Sequence, residues 1–364
     1  MDDGGAATRS VAAVTSLPTQ PWRQAMDAAL YGPDGFYRRP AGPAAHFRTS
    51  VSASPLFAAA LLRLALEVYE ELGRPPFFTV VDIGAGRGEL LTQLGELVPD
   101  GFDLIGVDVV DRPPGLPEAV HWCRGLDELP LIPHGLLVAN EWLDNIPFDI
   151  VEDGRLLEVD EHGIEWLGPP APPDYLAWID RYATGADRVE VGLPRDQAWS
   201  AAVAKLGSGI ALAIDYASDE ALSPQVDRSS TLTGYRNGRQ VAPVPNGSCD
   251  LTAHVLLSSC AEAAEAEPGD AYLLTQRSAL RALGVTGTRP PPEMATLDPA
   301  GYLRALSVAS AGAELIAPQG LGDFGWLVQA RGTDLPTTLL AADNPCAAPA
   351  PRARPAADDP GRLR

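Results

Sequence analysis

Cysteine is scarce in this chain of 364 residues. Its four, Cys123, Cys249, Cys260 and Cys346, include no Cys-x-x-Cys pair and no histidine-rich neighbourhood, so neither a zinc site nor a disulfide framework is expected. Positive charge is also short. Lys and Arg total 27 against 48 Asp and Glu, a formal net charge of −21, and no basic cluster offers a phosphate backbone its counter-charge, which excludes nucleic acid as the partner. A cationic protein or peptide partner suits that charge, as does a merely solubilising acidic surface. No run approaches the roughly 20 apolar residues that cross a bilayer. The opening Met1-Asp2-Asp3-Gly4 lacks a basic stretch followed by an apolar one, and the expectation is a soluble cytoplasmic protein. What the chain does have is apolar content, 46% of its residues, enough for a full α/β core.

Punctuation and periodicity divide that content. Residues 1–18 are small and polar, and residues 332–364 form an Ala/Pro-rich tail without apolar periodicity; both are expected to be disordered. The domain is expected to occupy 19–331. Its first part, 19–75, reads as a helical extension, with helices over Pro21–Leu30 and Ser54–Leu72. Strands are predicted at Phe77–Ile83, Asp103–Val107, Ala119–Trp122, Gly135–Ala139, Gly209–Asp215 and Trp326–Ala330, separated by helices or Pro-rich turns. Such alternation implies a doubly wound, mostly parallel α/β sheet. Two insertions interrupt it. One, 150–205, carries the hairpin-like pair Leu156–Val159 and Ile164–Leu167 after polar turns, and reads as a substrate-side lobe. The other, 222–250, is rich in Pro, Asn and Ser. Helices are then predicted near Leu251–Ala266, Ala271–Leu283 and Pro299–Ala311.

The most informative stretch is Val80-Val81-Asp82-Ile83-Gly84-Ala85-Gly86-Arg87-Gly88-Glu89-Leu90-Leu91, a buried strand that breaks into glycines and re-enters as a helix. Glycines let backbone approach a ligand without Cβ interference. A dinucleotide fingerprint wants a glycine three positions after the second one; here Glu89 holds that position and Gly88 precedes it, which weakens a phosphate-binding reading. Asp82 before the first glycine and Asp108 closing the next strand, Leu104-Ile105-Gly106-Val107-Asp108, give instead the pattern of S-adenosylmethionine methyltransferases. Asp108 would accept both ribose hydroxyls, while Gly84, Gly86 and Gly88 leave room for the methionine part. An ordinary glycine turn between strand and helix is the plain alternative for the loop taken alone.

A second segment, Leu136-Leu137-Val138-Ala139-Asn140-Glu141-Trp142-Leu143-Asp144-Asn145-Ile146-Pro147-Phe148, delivers polar groups as an apolar strand ends, where open α/β sheets form their ligand crevice. Asn140 and Glu141 would face the reactive end of the cofactor. A helical turn would bring Glu141 and Asp144 to one face; otherwise Asp144 or Asn145 caps a helix and Glu141 is solvated. Asp250 and His254 lie one helical turn apart in Asp250-Leu251-Thr252-Ala253-His254, so that Asp250 could orient the imidazole or simply cap a helix whose packed face carries His254. Asp215 and Tyr216 close another strand and are expected at the same crevice.

These blocks resemble one family, the MidA-like class I methyltransferases, whose mitochondrial members are protein arginine methyltransferases serving respiratory complex I assembly. The likeness runs from about Pro21 to Arg331. It includes Leu30-Tyr31-Gly32-Pro33-Asp34-Gly35-Phe36-Tyr37, Phe47-Arg48-Thr49-Ser50 with Ser54-Pro55-Leu56-Phe57, the glycine loop, and Asn140 to Pro147. Ile214-Asp215-Tyr216, Thr231-Leu232-Thr233-Gly234-Tyr235-Arg236 and Asp250 to Val255 complete it. The resemblance implies a Rossmann-like class I fold and S-adenosylmethionine as cofactor, with Asp82, Gly84, Gly86, Gly88, Asp108 and Asn140 binding it. For catalysis it points to Glu141, Asp144 and His254, and for the acceptor to a protein arginine.

Three departures stand out. Where the family usually carries Pro-Glu before its Ser-Pro-Leu-Phe block, this chain has Val51-Ser52, which removes a carboxylate. Ala85 replaces a common Pro, and the stretch from Leu222 to Ser248 is short. The loss at Ser52 bears on the acceptor more than on the cofactor. A small-molecule acceptor is therefore the runner-up, and a catalytically silent assembly or binding factor that keeps the fold is the alternative from another class. A guanidinium is a charged, poor nucleophile, so carboxylates must hold it and localise its charge.

Overall fold

The computed structural model describes residues 18–39, 49–222, 230–264 and 269–342. Phe47 and Arg48, Cys346, and most of the two stretches expected to be disordered lie outside them, as do 223–229 in the second insertion.

Strands that must bury both faces cannot alternate polar with apolar, and the runs seen in the sequence obey that rule. Phe78–Ile83 is buried at every position. It is the fifth of seven strands in the order Ala271–Thr275, Gly325–Arg331, Leu206–Asp215, Ile132–Asn140, Phe78–Ile83, Phe102–Val107, Val120–Cys123. Neighbours pair in parallel from Leu206–Asp215 through to Val120–Cys123, while Gly325–Arg331 runs antiparallel to both of its partners. This is the doubly wound, mostly parallel sheet expected.

Successive residues serve opposite layers. Val80, Leu104, Val138 and Leu212 pack with helices Pro55–Glu71, Glu89–Gly95, Gln276–Ala282 and Pro299–Leu315 through Leu61, Leu64, Leu91 and Leu280. On the other face Val81, Ile105, Leu137 and Ala211 meet Trp199 and Val203 of Leu193–Val203 and Cys260 of Leu257–Ala264. Period-two projection from one strand thus builds two cores.

The sequence misplaces two elements. Ala271–Thr275, read as the start of a helix, is an edge strand with Leu273 opposite Leu327; pairing overrides the helical preference of Ala and Leu. The helix predicted from Leu251 begins only at Leu257, because Asp250–Thr252 joins Thr233–Arg236 and Arg239–Val241 in a three-stranded sheet.

The N-terminal extension and the insertions are one structure. Gln20–Pro21 pairs with Glu158 and Val159, joining a small sheet with Ile150–Glu152, Arg155–Val159, Glu165–Pro170 and Arg188–Glu190. Helix Trp22–Tyr31 buries Trp22, Met26 and Leu30 against Phe148, Ile150, Leu157, Val159 and Leu251. Helix Pro55–Glu71, by contrast, belongs to the main sheet. The boundary drawn at Arg331 is too early: Thr337–Leu340 is helical, Leu339 is buried in the main core, and Thr337 Oγ1 donates to Glu67.

Candidate active site

From Phe78–Ile83 the chain steps outward through two strands and then returns to Ile132–Asn140 on the other side of its starting point. Loops leaving two such neighbours diverge, and a crevice opens between them at the carboxyl ends. A cavity of about 810 Å³ lies there. Asp82, Gly84, Gly86 and Asp108 line one part, and Asn140, Glu141 and Asp144 another. That volume falls in the usual range for a small-molecule site.

In the glycine half, backbone is clamped to backbone. Gly84 and Ala85 donate to Val107 O at 2.9 and 3.2 Å, and Gly86 donates to Asp108 Oδ2 at 2.8 Å, while Asp108 Oδ1 accepts from Val110 at 3.2 Å. Gly84 has φ 72°, and a Cβ there would stand 3.0 Å from Cδ1 of Trp142. The glycine therefore makes room for a tryptophan as well as permitting the turn. Gly88 does not reach the cavity wall; it precedes helix Glu89–Gly95 at φ 75°, where a Cβ would run into Leu116. Burial, reinforced by the neighbouring Asp108 and Glu89, pushes the Asp82 carboxyl well above its usual range, and burial also raises Asp108.

The other half is built on a strained strand end. Glu141 has φ 52°, a left-handed conformation that costs a non-glycine residue about 1 kcal/mol or more and that clusters at functional sites. Its N–H donates to Ile214 O at 2.8 Å, and its Oε1 accepts from Asn140 Nδ2 at 3.2 Å and Ser50 N at 3.4 Å. Leu143–Asn145 forms a single 3₁₀ turn. Asp215 holds that turn from beneath, its Oδ2 accepting from Leu143 N at 2.9 Å and Asp144 N at 3.3 Å. Asp215 is therefore a strut and not a lining group, whereas Tyr216 does line the cavity.

Asp144 Oδ2 accepts from Thr252 Oγ1 at 2.6 Å, while its Oδ1 is buried and has no hydrogen-bond partner among the described residues. Tyr37 Oη stands 2.8 Å from Asn145 Oδ1 and 3.0 Å from Asp250 Oδ1. Asn145 Nδ2 donates to Asp250 Oδ1 at 3.2 Å. Burial, then the nearby Asp144, raises Glu141 to about 8 and Asp250 to about 7. Burial raises Asp144 to about 6, with Thr252 and Arg195 acting against it.

Among the residues anticipated from sequence, then, Asp82, Gly84, Gly86, Asp108, Asn140, Glu141 and Asp144 meet in one cavity. His254 does not line it. It stands behind Tyr216, ring centroids 5.8 Å apart, with Nδ1 buried and lacking a partner among the described residues, and burial lowers its pKa. Asp250 is not its helical neighbour but a strand residue that lines the cavity itself. Ser52, in the place of the expected carboxylate, lines the cavity and completes the capping box of helix Ser50–Ala53 with Thr49. Trp142, Thr252, Arg195 and Tyr235 have no role legible from the sequence alone. Tyr31 and Tyr37 sat in a recognised block without an assigned task.

The donor set fits S-adenosylmethionine. Asn140 Oδ1 is buried without a partner among the described residues, and the Asp82 carboxylate lies on the same cavity with its charge disfavoured by burial. An ammonium answers both.

Residues 108–273 match the family model described as "Putative S-adenosyl-L-methionine-dependent methyltransferase". None of the curated proteins matches this chain. A COG1565 superfamily protein from Burkholderia thailandensis, solved with S-adenosyl-homocysteine, is similar at 26% identity over 89% of this chain and 90% of that one, with TM-score 0.72. A native crystal structure of a COG1565 protein from the same organism is similar at 25% identity over the same shares, with TM-score 0.70. That superfamily includes the MidA-like proteins the sequence blocks resemble. A doubly wound sheet, a glycine-loop cavity at its switch point and these likenesses make the chain an S-adenosylmethionine-dependent methyltransferase of the class I fold.

Proposed function

We propose that the enzyme methylates a protein arginine guanidinium, with Asp108 taking the ribose hydroxyls and Asp82 and Asn140 the amino-acid end of the cofactor. When bound, S-adenosylmethionine supplies a methyl group activated by its sulfonium centre. The protein's remaining task is to place a nitrogen lone pair in line and exclude water. One observation carries the acceptor reading: Asp144 presents a buried, unpartnered carboxylate oxygen in the same cavity as Glu141 and Asp250. Three carboxyls with raised pKa values form a site whose charge is suppressed until a cation enters, and a cation entering draws them back to the ionised form. A planar guanidinium suits that demand, since its fork of donors matches carboxylate geometry. Glu141 and Asp144 then localise the cation's charge away from the reacting nitrogen, and a carboxylate takes the proton it loses.

Incubating the protein with radiolabelled cofactor and a cell lysate tests this. The expected product is a discrete labelled protein band whose hydrolysate carries methylated arginine. Label in a metabolite alone would replace the acceptor with a small molecule, and cofactor binding without transfer would make the chain an assembly factor.

A further inference from the structure

Arg195 sits in the first turn of helix Leu193–Val203 and is only 2% exposed. Buried guanidiniums ordinarily pair with one carboxylate. This one turns its two terminal nitrogens to backbone, Nη1 to His254 O at 3.0 Å and Nη2 to Asp144 O at 3.4 Å and Ala253 O at 3.5 Å, while its buried Nε has no partner among the described residues. Its Cζ lies 4.1 Å from the centroid of the Phe148 ring. The same Asp144 carbonyl accepts from Ala253 N at 3.3 Å. Two segments more than 100 residues apart in sequence, 144–145 and 252–254, are thereby held side by side, and Thr252 reaches Asp144 Oδ2 across the seam.

We propose that Arg195 is the positioning residue of the acceptor half: its guanidinium staples the turn that carries Asp144 to the segment that carries Thr252, and sets a buried positive charge behind Asp144. The proposal rests on the reading of Asp144 as an acceptor-binding carboxylate. Besides bonding three carbonyls, the guanidinium interacts electrostatically with Glu190, Asp215 and Asp144, in that order of strength. Asp144 in turn opposes the ionisation of Glu141, Asp215 and Asp250 by like charge. The phenols of Tyr31, Tyr37, Tyr216 and Tyr235 stand within its field and stay protonated. Arg195 is thus a buried cation that favours the ionised form of Asp144 from within the protein, and removing it should leave Asp144 harder to ionise.

The test reads Asp144 without needing the acceptor. In full-length protein carrying ¹³C-labelled aspartate, the infrared carboxylate band of Asp144 is assigned by difference from Asp144→Asn and titrated. Arg195→Met should raise its midpoint by about one pH unit or more, with affinity for S-adenosylhomocysteine unchanged. An unmoved midpoint in folded Arg195→Met overturns the proposal, and so does a loss confined to melting temperature and S-adenosylhomocysteine affinity. Ethylguanidinium binding to the S-adenosylhomocysteine-loaded protein adds the second readout, expected to weaken several-fold in Arg195→Met at neutral pH. Should the wild type fail to bind ethylguanidinium, the acceptor reading falls while the infrared shift still decides the role of Arg195. If Arg195→Met does not fold, Arg195→Lys takes its place: charge retained and fork lost, the midpoint should stay near the wild-type value while ethylguanidinium affinity drops. Wild-type affinity in that variant would contradict the staple.

Discussion

The two halves of the cavity are made by different means. On the glycine side, Gly84, Ala85 and Gly86 bond Val107 and Asp108, so the geometry is set by backbone within one strand–turn–helix unit and the strand beside it. On the acceptor side, Tyr37 meets Asp250 across 213 positions, Thr252 meets Asp144 across 108, and Arg195 meets His254 across 59. The first half exists once two parallel strands pair. The second exists only after helix Trp22–Tyr31, the small sheets and the turn Leu143–Asn145 have closed on one another around Phe148 and Leu251. The proposed cofactor contacts are accordingly local apart from Asn140, and the proposed acceptor contacts are a product of tertiary packing.

If the halves are separable, their variants should separate too. The largest effect is expected for Glu141→Gln and Asp144→Asn, which keep shape and remove charge. Turnover with the acceptor should fall by roughly a hundredfold, with fold and cofactor affinity retained, since charged hydrogen bonds of about 1.5–3 kcal/mol are lost at the proposed cation site. Unchanged turnover in both would move the acceptor site elsewhere. Gly84→Ala probes the opposite half: a left-handed φ together with the approach to Trp142 should weaken the cofactor by roughly tenfold at a penalty of about 1–2 kcal/mol. Ethylguanidinium affinity should be unaffected by it, and a parallel loss would couple the halves.

The pH dependence of stability sharpens the contrast further. Folded-state values of about 6 for Asp144, 7 for Asp250 and 8 for Glu141 lie above the roughly 4 of unfolded carboxyls. A raised carboxyl contributes stability below its unfolded pKa and loses that contribution as pH rises through its folded one. Melting temperature of the ligand-free protein should therefore decline from about pH 5 to pH 8, and Glu141→Gln should flatten the upper part of that decline. A flat wild-type profile would mean the acceptor half does not hold suppressed charge. The smallest effect concerns neither half. A chain ending at Arg331 should melt a few degrees below one ending at Ala342, because Leu339 burial is worth up to about 1.5–3 kcal/mol, while both bind cofactor alike. Equal melting temperatures would show that the short helix adds nothing.

This division explains what was legible in the sequence. Buried strands announce themselves by continuous apolar runs, and six of the seven in the main sheet are anticipated to within a few residues. The seventh, Ala271–Thr275, is Ala- and Leu-rich and becomes a strand only because Gly325–Arg331 offers it an edge. The glycine loop could be read because its spacing is its mechanism, although Gly88 proves to serve the helix start and Leu116 instead of the cavity. That Glu141 and Asp144 line the cavity is legible because they follow a strand end. His254 was placed by assuming a helix that the strand Asp250–Thr252 prevents. Arg195 carries no signal at all, since nothing local in the sequence distinguishes an arginine that will be solvated from one that will be enclosed.

Calorimetric titration of S-adenosylmethionine into wild type, Asp108→Ala and Glu141→Gln, side by side, tests the separation most directly. Asp108→Ala removes the carboxylate that clamps Gly86 and is assigned to the ribose hydroxyls, and should weaken binding by at least about tenfold; Glu141→Gln should leave it within about threefold of wild type. A Glu141→Gln loss as large as that of Asp108→Ala, or tighter binding of NAD than of S-adenosylmethionine by the wild type, would contradict the account.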